Sequence, residues 1–130
     1  MVIDTSALLA IYFNEPDSIR FETAILGDSE TIVSAGTLLE AAIIVEARHE
    51  RAGSVEFDRL LQKLAVSTVA VDAEQVEAGR HAYRRYGKGR HPANLNYGDC
   101  FAYALAVTSG QPLLFKGDDF SRTDVVAALA

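Results

Sequence analysis

Short, wholly apolar runs alternate along the chain with longer stretches in which apolar residues recur every three or four positions. Val2-Ile3 reads as a buried strand, and Ala7 to Phe13 as a short helix. Glu15-Pro16-Asp17 breaks the chain, and a second helix follows with Ile19, Phe21, Ile25 and Leu26 as a partial stripe, ended by Gly27-Asp28. Thr31-Ile32-Val33 is β-branched and predicts a strand. A long helix is expected from Gly36 to about Arg51, and Gly53-Ser54 restarts one in which Val55, Leu60, Leu61 and Leu64 face inward. Val66 to Val71 predicts a strand. Asp72-Ala73-Glu74-Gln75 resembles a capping box and opens a helix to about Tyr86, carrying Val76, Ala82 and Tyr83. Lys88 to Tyr97 reads as a polar loop, Gly98 to Ser109 as a helix stopped by Gly110, and Leu113 to Phe115 as the last strand. The tail from Asp124 to Ala130 is too short to assign.

Strand alternates with helix throughout, and no Asn-Gly or Asp-Gly pair joins two strands as a hairpin. The pattern predicts an α/β fold, a parallel sheet covered by helices, within one domain spanning residues 1–130. In such folds sites form beyond the carboxyl ends of the strands, near a reversal of strand order. Apolar residues make up 49% of the chain, enough for a core without disulfides, and the single cysteine, Cys100, excludes an internal disulfide framework. Cys100 reads as a packing residue, and His49, His81 and His91 as surface residues without metal-ligand spacing. No basic region followed by a long apolar segment opens the chain, and no run approaches the length of a membrane span. The expectation is a soluble, cytoplasmic protein that makes no membrane contact.

Acids stand where a soluble domain usually prefers other residues. Asp4 leaves the first strand; Glu40 interrupts the apolar run Gly36 to Val45; Asp99 opens another; Asp118 and Asp119 follow the last strand. Asp4 and the Asp118-Asp119 pair leave the carboxyl ends of strands, and Glu40 and Asp99 lie early in helices at the same end. Converging carboxylates cannot all stay ionised without a cation, and a set lacking Cys and His suits a hard ion, Mg²⁺ or Mn²⁺. Held beside a phosphodiester, such an ion activates water and offsets the charge of the transition state. Thr5 or Ser6 offers a hydroxyl to the ion or to Asp4, and Asn96 an amide to a phosphate or a bound water.

The balance of 12 basic and 18 acidic residues, a net charge of −6, argues against nucleic acid as a partner. Its distribution changes the picture. Arg80 to Gly98 contains no acid, yet holds Arg80, Arg84, Arg85, Lys88 and Arg90, five of the 12 cations, with His81 and His91. That segment is suited to hold an RNA backbone beside the acidic cleft.

Four stretches resemble the PIN-domain ribonucleases, and within them the VapC toxins of bacterial toxin–antitoxin pairs: Val2-Ile3-Asp4-Thr5-Ser6-Ala7, Glu40 in its helix, Tyr97-Gly98-Asp99-Cys100-Phe101-Ala102-Tyr103-Ala104, and Leu113 through Phe120. The resemblance spans essentially the whole chain. It implies a PIN-like α/β/α sandwich and a Mg²⁺- or Mn²⁺-dependent endoribonuclease leaving a 5′-phosphate and a 3′-hydroxyl. Asp4, Glu40 and Asp99 match the family's acids, and the fourth maps to Asp119 or to Asp118, with Asp119 favoured. The resemblance further implies a homodimer and inhibition by a VapB-like antitoxin, whose C-terminal segment covers the acids, often with an arginine; guanidinium pairs well with clustered carboxylates. Ile11, Tyr12, Leu38 and Leu39 exceed what one short helix pair needs and are candidates for the dimer seam.

Two other functions fit parts of the pattern. One is a phosphatase or phosphoacceptor domain with Asp4 as nucleophile, although such enzymes usually carry a second Asp two residues on, where this chain has Ser6. The other is a catalytically silent module that keeps the fold and binds RNA or protein.

Overall fold

Strands only two or three residues long form the centre of the molecule, which a computed structural model describes over residues 1–129. In chain order the elements are β1 (Val2–Ile3), α1 (Thr5–Tyr12), α2 (Ser18–Leu26), β2 (Ile32–Ser34), α3 (Ala35–Leu64), β3 (Ser67–Val69), α4 (Ala73–Tyr86), α5 (Tyr97–Ser109) and β4 (Leu113–Leu114), followed by a 3₁₀ turn at Phe120–Arg122. All pairings between these strands are parallel, in the order β3-β2-β1-β4. Strand order reverses at β1, which has β2 on one side and β4 on the other. Asp4 and the segment after β4 leave the sheet side by side at that reversal.

Neighbouring strand residues point to opposite faces, and both faces are covered. Ile3, Val33 and Leu114 pack with Leu8, Ile11, Phe21, Ile25, Val45 and Phe57 of α1, α2 and α3. Val2, Ile32 and Leu113 pack on the other side with Ala82 and Tyr86 of α4 and with Ala102, Tyr103, Leu105 and Ala106 of α5. Strands buried on both faces carry no polar alternation, which is why they read as continuous apolar runs.

Several boundaries differ from those the sequence predicts. Helix α1 begins at Thr5 rather than Ala7, because Asp4 caps it by accepting from the Ser6 N–H. The two helices expected on either side of Arg51 are both present: within the span Ala35–Leu64 the backbone leaves the helical region at Glu50, with φ 55° and ψ −145°, and two helical segments meet there at a kink. Beyond it, Phe57 and Leu64 return to the core. Strand β3 is shorter than Val66 to Val71, and its residues are partly exposed at the sheet edge. Only half of the expected capping box on α4 forms: Asp72 accepts from the Gln75 N–H at 2.9 Å, but the Gln75 side chain donates to the Ala70 carbonyl.

The segment after α4 is not a simple polar loop. Gly87 and Leu95 form a parallel bridge, and Ala93 and Leu95 are fully buried. The tail closes on β4, where Leu113 pairs with Ala127. Of the expected dimer-seam residues, Ile11 is buried in the core and Tyr12 and Leu38 pack against it. Leu39 alone of the four is largely exposed, at 62%. Among the described residues, no helix is long and apolar enough to cross a membrane.

Candidate active site

Asp4 is the most constrained of the acids. It is 4% exposed, and its Oδ2 accepts both the Ser6 N–H, at 3.0 Å, and the Ser6 hydroxyl, at 2.6 Å. The same Ser6 Oγ accepts the Lys116 N–H at 2.9 Å. One hydroxyl thus ties Asp4 at the end of β1 to the chain leaving β4. Burial pushes the Asp4 carboxyl above its ordinary range, opposed by the Ser6 hydrogen bonds and reinforced by the charge of Glu40.

Thr5 takes the other direction. Its hydroxyl donates to the Thr37 carbonyl at 3.4 Å, fastening α1 to the first turn of α3. It is not the hydroxyl that orients Asp4; Ser6 is. The Thr37 hydroxyl itself is buried without a hydrogen-bond partner, one turn before Glu40.

Glu40 projects from α3 to the opening of α5, where its carboxylate fills the space that a side chain at position 98 would need. Gly98 is buried, and a Cβ there would collide with Glu40 Oε2. Gly36 makes the matching allowance, since a Cβ there would strike the Phe101 ring. Two glycines therefore let the first turns of α3 and α5 approach closely enough for Glu40 and Asp99 to share one region.

Asp99 sits in the first turn of α5, held by a reciprocal capping box. It accepts the Asn96 N–H at 2.9 Å, while Asn96 Oδ1 accepts the Asp99 N–H at 3.0 Å. The Asn96 carbonyl side of its amide is therefore committed to the helix cap. Desolvation, followed by the charges of Asp4, Asp119 and Glu40, overcomes the Asn96 hydrogen bond and pushes the Asp99 carboxyl up to about 6. With Asp99 itself, these charges come from four separate segments of chain. The Asp118 carbonyl accepts the Ser121 hydroxyl at 2.6 Å.

The acids share a field without forming a cage. Among the described residues, no three Asp, Glu, His or Cys side chains are gathered closely enough to hold a metal ion by themselves. The donor set still fits a hard divalent ion, because every donor is a carboxylate and their mutual repulsion is what a cation relieves. Mg²⁺ keeps several of its waters and takes few direct protein oxygens, so a loose set of carboxylates is sufficient for it.

The cations divide by direction. Arg80, Arg84 and Lys88 line a groove of about 820 Å³ between α4 and α5, which also reaches Asn96, Tyr97 and Cys100 at the opening of α5. Arg80 is engaged by Glu77 at 2.9 Å. Arg90 lies over the Tyr83 ring at 5.4 Å, and Tyr83 lines the same groove. Arg85 turns away, over Tyr86 and 3.8 Å from Asp124. Cys100 is half-buried, its thiol donates to the Asn96 carbonyl, and burial pushes it up to about 11, which leaves it no nucleophile near neutral pH.

Sequence reasoning misses three contributors. Ser6 as a bridge between β1 and the segment after β4 needs the fold, since Lys116 is 110 residues away. The space at Gly98 carries no signal in one sequence. The capping box Asn96-x-x-Asp99 does carry one, being the same local pattern that stands at Asp72.

Comparison with known proteins finds relatives of the chain over nearly its whole length. Residues 1–126 match the PIN domain family. The chain is 57% identical over 127 residues to a protein of Mycolicibacterium smegmatis named ribonuclease VapC, covering 98% of each. It is 56% identical over 125 residues to ribonuclease VapC30 of Mycobacterium tuberculosis, covering 96% of this chain and 95% of that one. The fold resembles the crystal structure of Mycobacterium tuberculosis VapC20, described as a sarcin-ricin loop cleaving toxin, with a TM-score of 0.76 at 16% identity, over 96% of this chain and 95% of that one. A toxin–antitoxin complex from Klebsiella pneumoniae gives 0.72 at 16% identity, over 97% and 94%.

Proposed function

The chain belongs to the PIN domain family, and on that premise we propose that it is an endoribonuclease toxin of the VapC type, hydrolysing RNA phosphodiester bonds with a divalent metal ion. The observation that carries the assignment of residues is the coupling at Asp99, whose carboxyl is pushed up to about 6 by burial and by Asp4, Asp119 and Glu40. These four are the residues we assign to the ion, with Asp119 favoured over Asp118 because its charge reaches Asp99. Mg²⁺ or Mn²⁺ suits an all-carboxylate set. When bound, the ion supplies Lewis acidity to a phosphoryl oxygen and acidifies water.

The chain's own residues supply position. Ser6 holds the Asp4 carboxylate with two hydrogen bonds, so its outer oxygen keeps a fixed direction. The Asn96 cap fixes Asp99, and Gly98 gives Glu40 its seat beside it. Acceptors held in this way need little reorganisation when charge develops on the substrate. Burial of Asp4 and Asp99 also strengthens their interaction with any cation that enters.

The partners follow from the same surface. RNA approaches along the side of Arg80, Arg84 and Lys88, and a VapB-like antitoxin would neutralise the acids with a guanidinium. A homodimer is part of the reading, with Leu39 and Ile43 as its apolar seam; they stand four residues apart on α3 and are 62% and 57% exposed. The protein would act in the cytoplasm as one PIN domain. Against the phosphoacceptor alternative stands the buried Asp4, whose Oδ2 is occupied by Ser6 at the position where such enzymes use a second Asp.

The test is cleavage of total RNA by purified, antitoxin-free chain with Mg²⁺, with Mn²⁺ and with EDTA, beside Asp99→Asn. Fragments that require metal and vanish in the variant support the reading. Undiminished cleavage by Asp99→Asn removes the assignment of the site.

A further inference from the structure

Arg80, Arg84 and Lys88 belong to α4 and the residues after it, whereas Lys116 is tied to the acids themselves. Its N–H donates to Ser6 Oγ at 2.9 Å, and that hydroxyl donates to Asp4 Oδ2 at 2.6 Å. Two hydrogen bonds therefore fix the root of the Lys116 side chain beside the most buried carboxylate of the site. The tip is held elsewhere. Its ammonium lies 2.8 Å from Glu15 Oε2, in the turn between α1 and α2, where Asp17 adds a second negative charge. The arm thus runs from the chain leaving β4 to the turn after α1, at the crevice where strand order reverses.

Three observations assign this arm to a ligand rather than to the fold. First, the ion pair adds little to the fold. The Lys116 and Glu15 side chains are 38% and 39% exposed, and solvent screens pairs of that kind. Main-chain bonds already fix both segments, Lys116 to Ser6 and the Glu15 N–H to the Ala10 carbonyl at 2.9 Å. Second, the arm has room to turn. Gly117 has a φ of 95°, and nothing lies within 4 Å of the position its Cβ would take. Lys116 and Gly117 border a cavity of about 320 Å³, at the lower end of the sizes usual for ligand sites. Third, the acids create the need. Asp4, Glu40 and Asp119 all raise the Asp99 carboxyl, so the field at the site has one sign. A metal ion offsets it at the scissile phosphate, but the next phosphate along the strand meets the same field. An ammonium on a flexible stem is a point charge suited to a phosphate oxygen.

We propose that Lys116 is a phosphate anchor, which leaves Glu15 when RNA arrives and holds the phosphate next to the scissile one. In the free chain Glu15 keeps the ammonium away from the acids that the ion needs. Lys116 is then a substrate-binding residue, and Glu15 a positioning residue that sets how readily the arm is released. The inference rests on the ribonuclease reading of the adjacent acids.

The experiment is fluorescence anisotropy of the full chain in EDTA, which prevents cleavage, with a labelled single-stranded oligouridine over a series of salt concentrations. Lys116→Gln keeps the main-chain N–H for Ser6, so the urea midpoint should not move. It is expected to lower the slope of log affinity against log salt by about 0.7, which between about 1 M and 0.1 M salt amounts to about fivefold in affinity. Lys116→Arg keeps the slope. Glu15→Gln is expected to tighten binding when Lys116 is present, and much less in the Lys116→Gln background. Unchanged slope and affinity in Lys116→Gln overturn the proposal. So does an equal gain from Glu15→Gln in both backgrounds, because Glu15 then acts only as a negative charge. Wild-type chain that binds no oligouridine at low salt overturns it as well.

Cleavage with Mg²⁺ is read separately. Lys116-dependent binding without metal-dependent cleavage removes the nuclease reading and keeps the anchor. Cleavage whose KM is unchanged in Lys116→Gln removes the anchor and keeps the nuclease.

Discussion

Replacing Asp99 by Asn should make the metal-free protein more stable while it destroys the enzyme. In the folded chain the Asp99 carboxyl is pushed from 3.8 up to about 6, first by desolvation and then by Asp4, Asp119 and Glu40. Between those two values the folded state binds more protons than the unfolded state. Stability therefore falls as pH rises from about 4 to about 6 and stays reduced above that. A shift of about two units corresponds to about 3 kcal/mol as an upper limit. Asp99 is only half-buried, so solvent screening reduces the expected value to about 1–2 kcal/mol.

The amide keeps an oxygen to accept the Asn96 N–H, so the cap of α5 survives, while the charge and its repulsion disappear. The assay is urea unfolding in EDTA at pH 7.5 and pH 5. Wild-type chain should be more stable at pH 5. The variant should exceed the wild type at pH 7.5 and lose most of the pH dependence, keeping the part due to Asp4, which is raised in the same direction. Added Mg²⁺ or Mn²⁺ should stabilise the wild type by about 1.4 kcal/mol for each tenfold excess over Kd, and the variant by less. A variant less stable than the wild type at pH 7.5 in EDTA, with the pH dependence intact, would refute the view that the acids repel one another.

Gly98→Ala should displace the Glu40 carboxylate and abolish most metal-dependent cleavage, because the new Cβ takes its seat; activity assayed beside an unchanged far-UV spectrum checks this. Ser6→Ala removes the hydroxyl that donates to Asp4 and accepts from Lys116, and should cost about 1–3 kcal/mol in urea unfolding, with reduced kcat. Tyr103→Phe deletes the 2.7 Å hydrogen bond to Asp124 and should cost about 1 kcal/mol without altering cleavage. An effect of Tyr103→Phe on kcat would place the Asp124 segment closer to the chemistry than the structure does.

Much of this protein is written locally. Val2-Ile3, Ile32-Val33 and Leu113-Leu114 are apolar on both sides because both faces of a parallel sheet are covered, and that pattern needs no distant information. Capping at Asp72 and the stop at Gly110, where φ is 67°, are equally local. So are the identities of Asp4, Glu40, Asp99 and the Asp118-Asp119 pair, which stand out against apolar neighbours. Gly53-Ser54 interrupts the helical pattern and predicts a break, and the break falls a few residues earlier, at Glu50, where the backbone leaves the helical region.

What the sequence by itself determined was the strand–helix order and the supply of acids at one end of the strands. Whether those acids act on one another was decided only by the tertiary structure, since electrostatic coupling depends on separation and burial rather than on order along the chain. Position alone favoured Asp119 over Asp118 only by its place directly before Phe120, and in the structure the charge of Asp119 acts on Asp99. Thr5 and Ser6 were equivalent hydroxyls until the start of α1 turned one towards Thr37 and the other towards Asp4. Ile11, Tyr12 and Leu38 were alike as apolar candidates for a dimer seam, and the structure buries Ile11 and packs Tyr12 and Leu38 against the core, because a side chain's burial is set by what covers it.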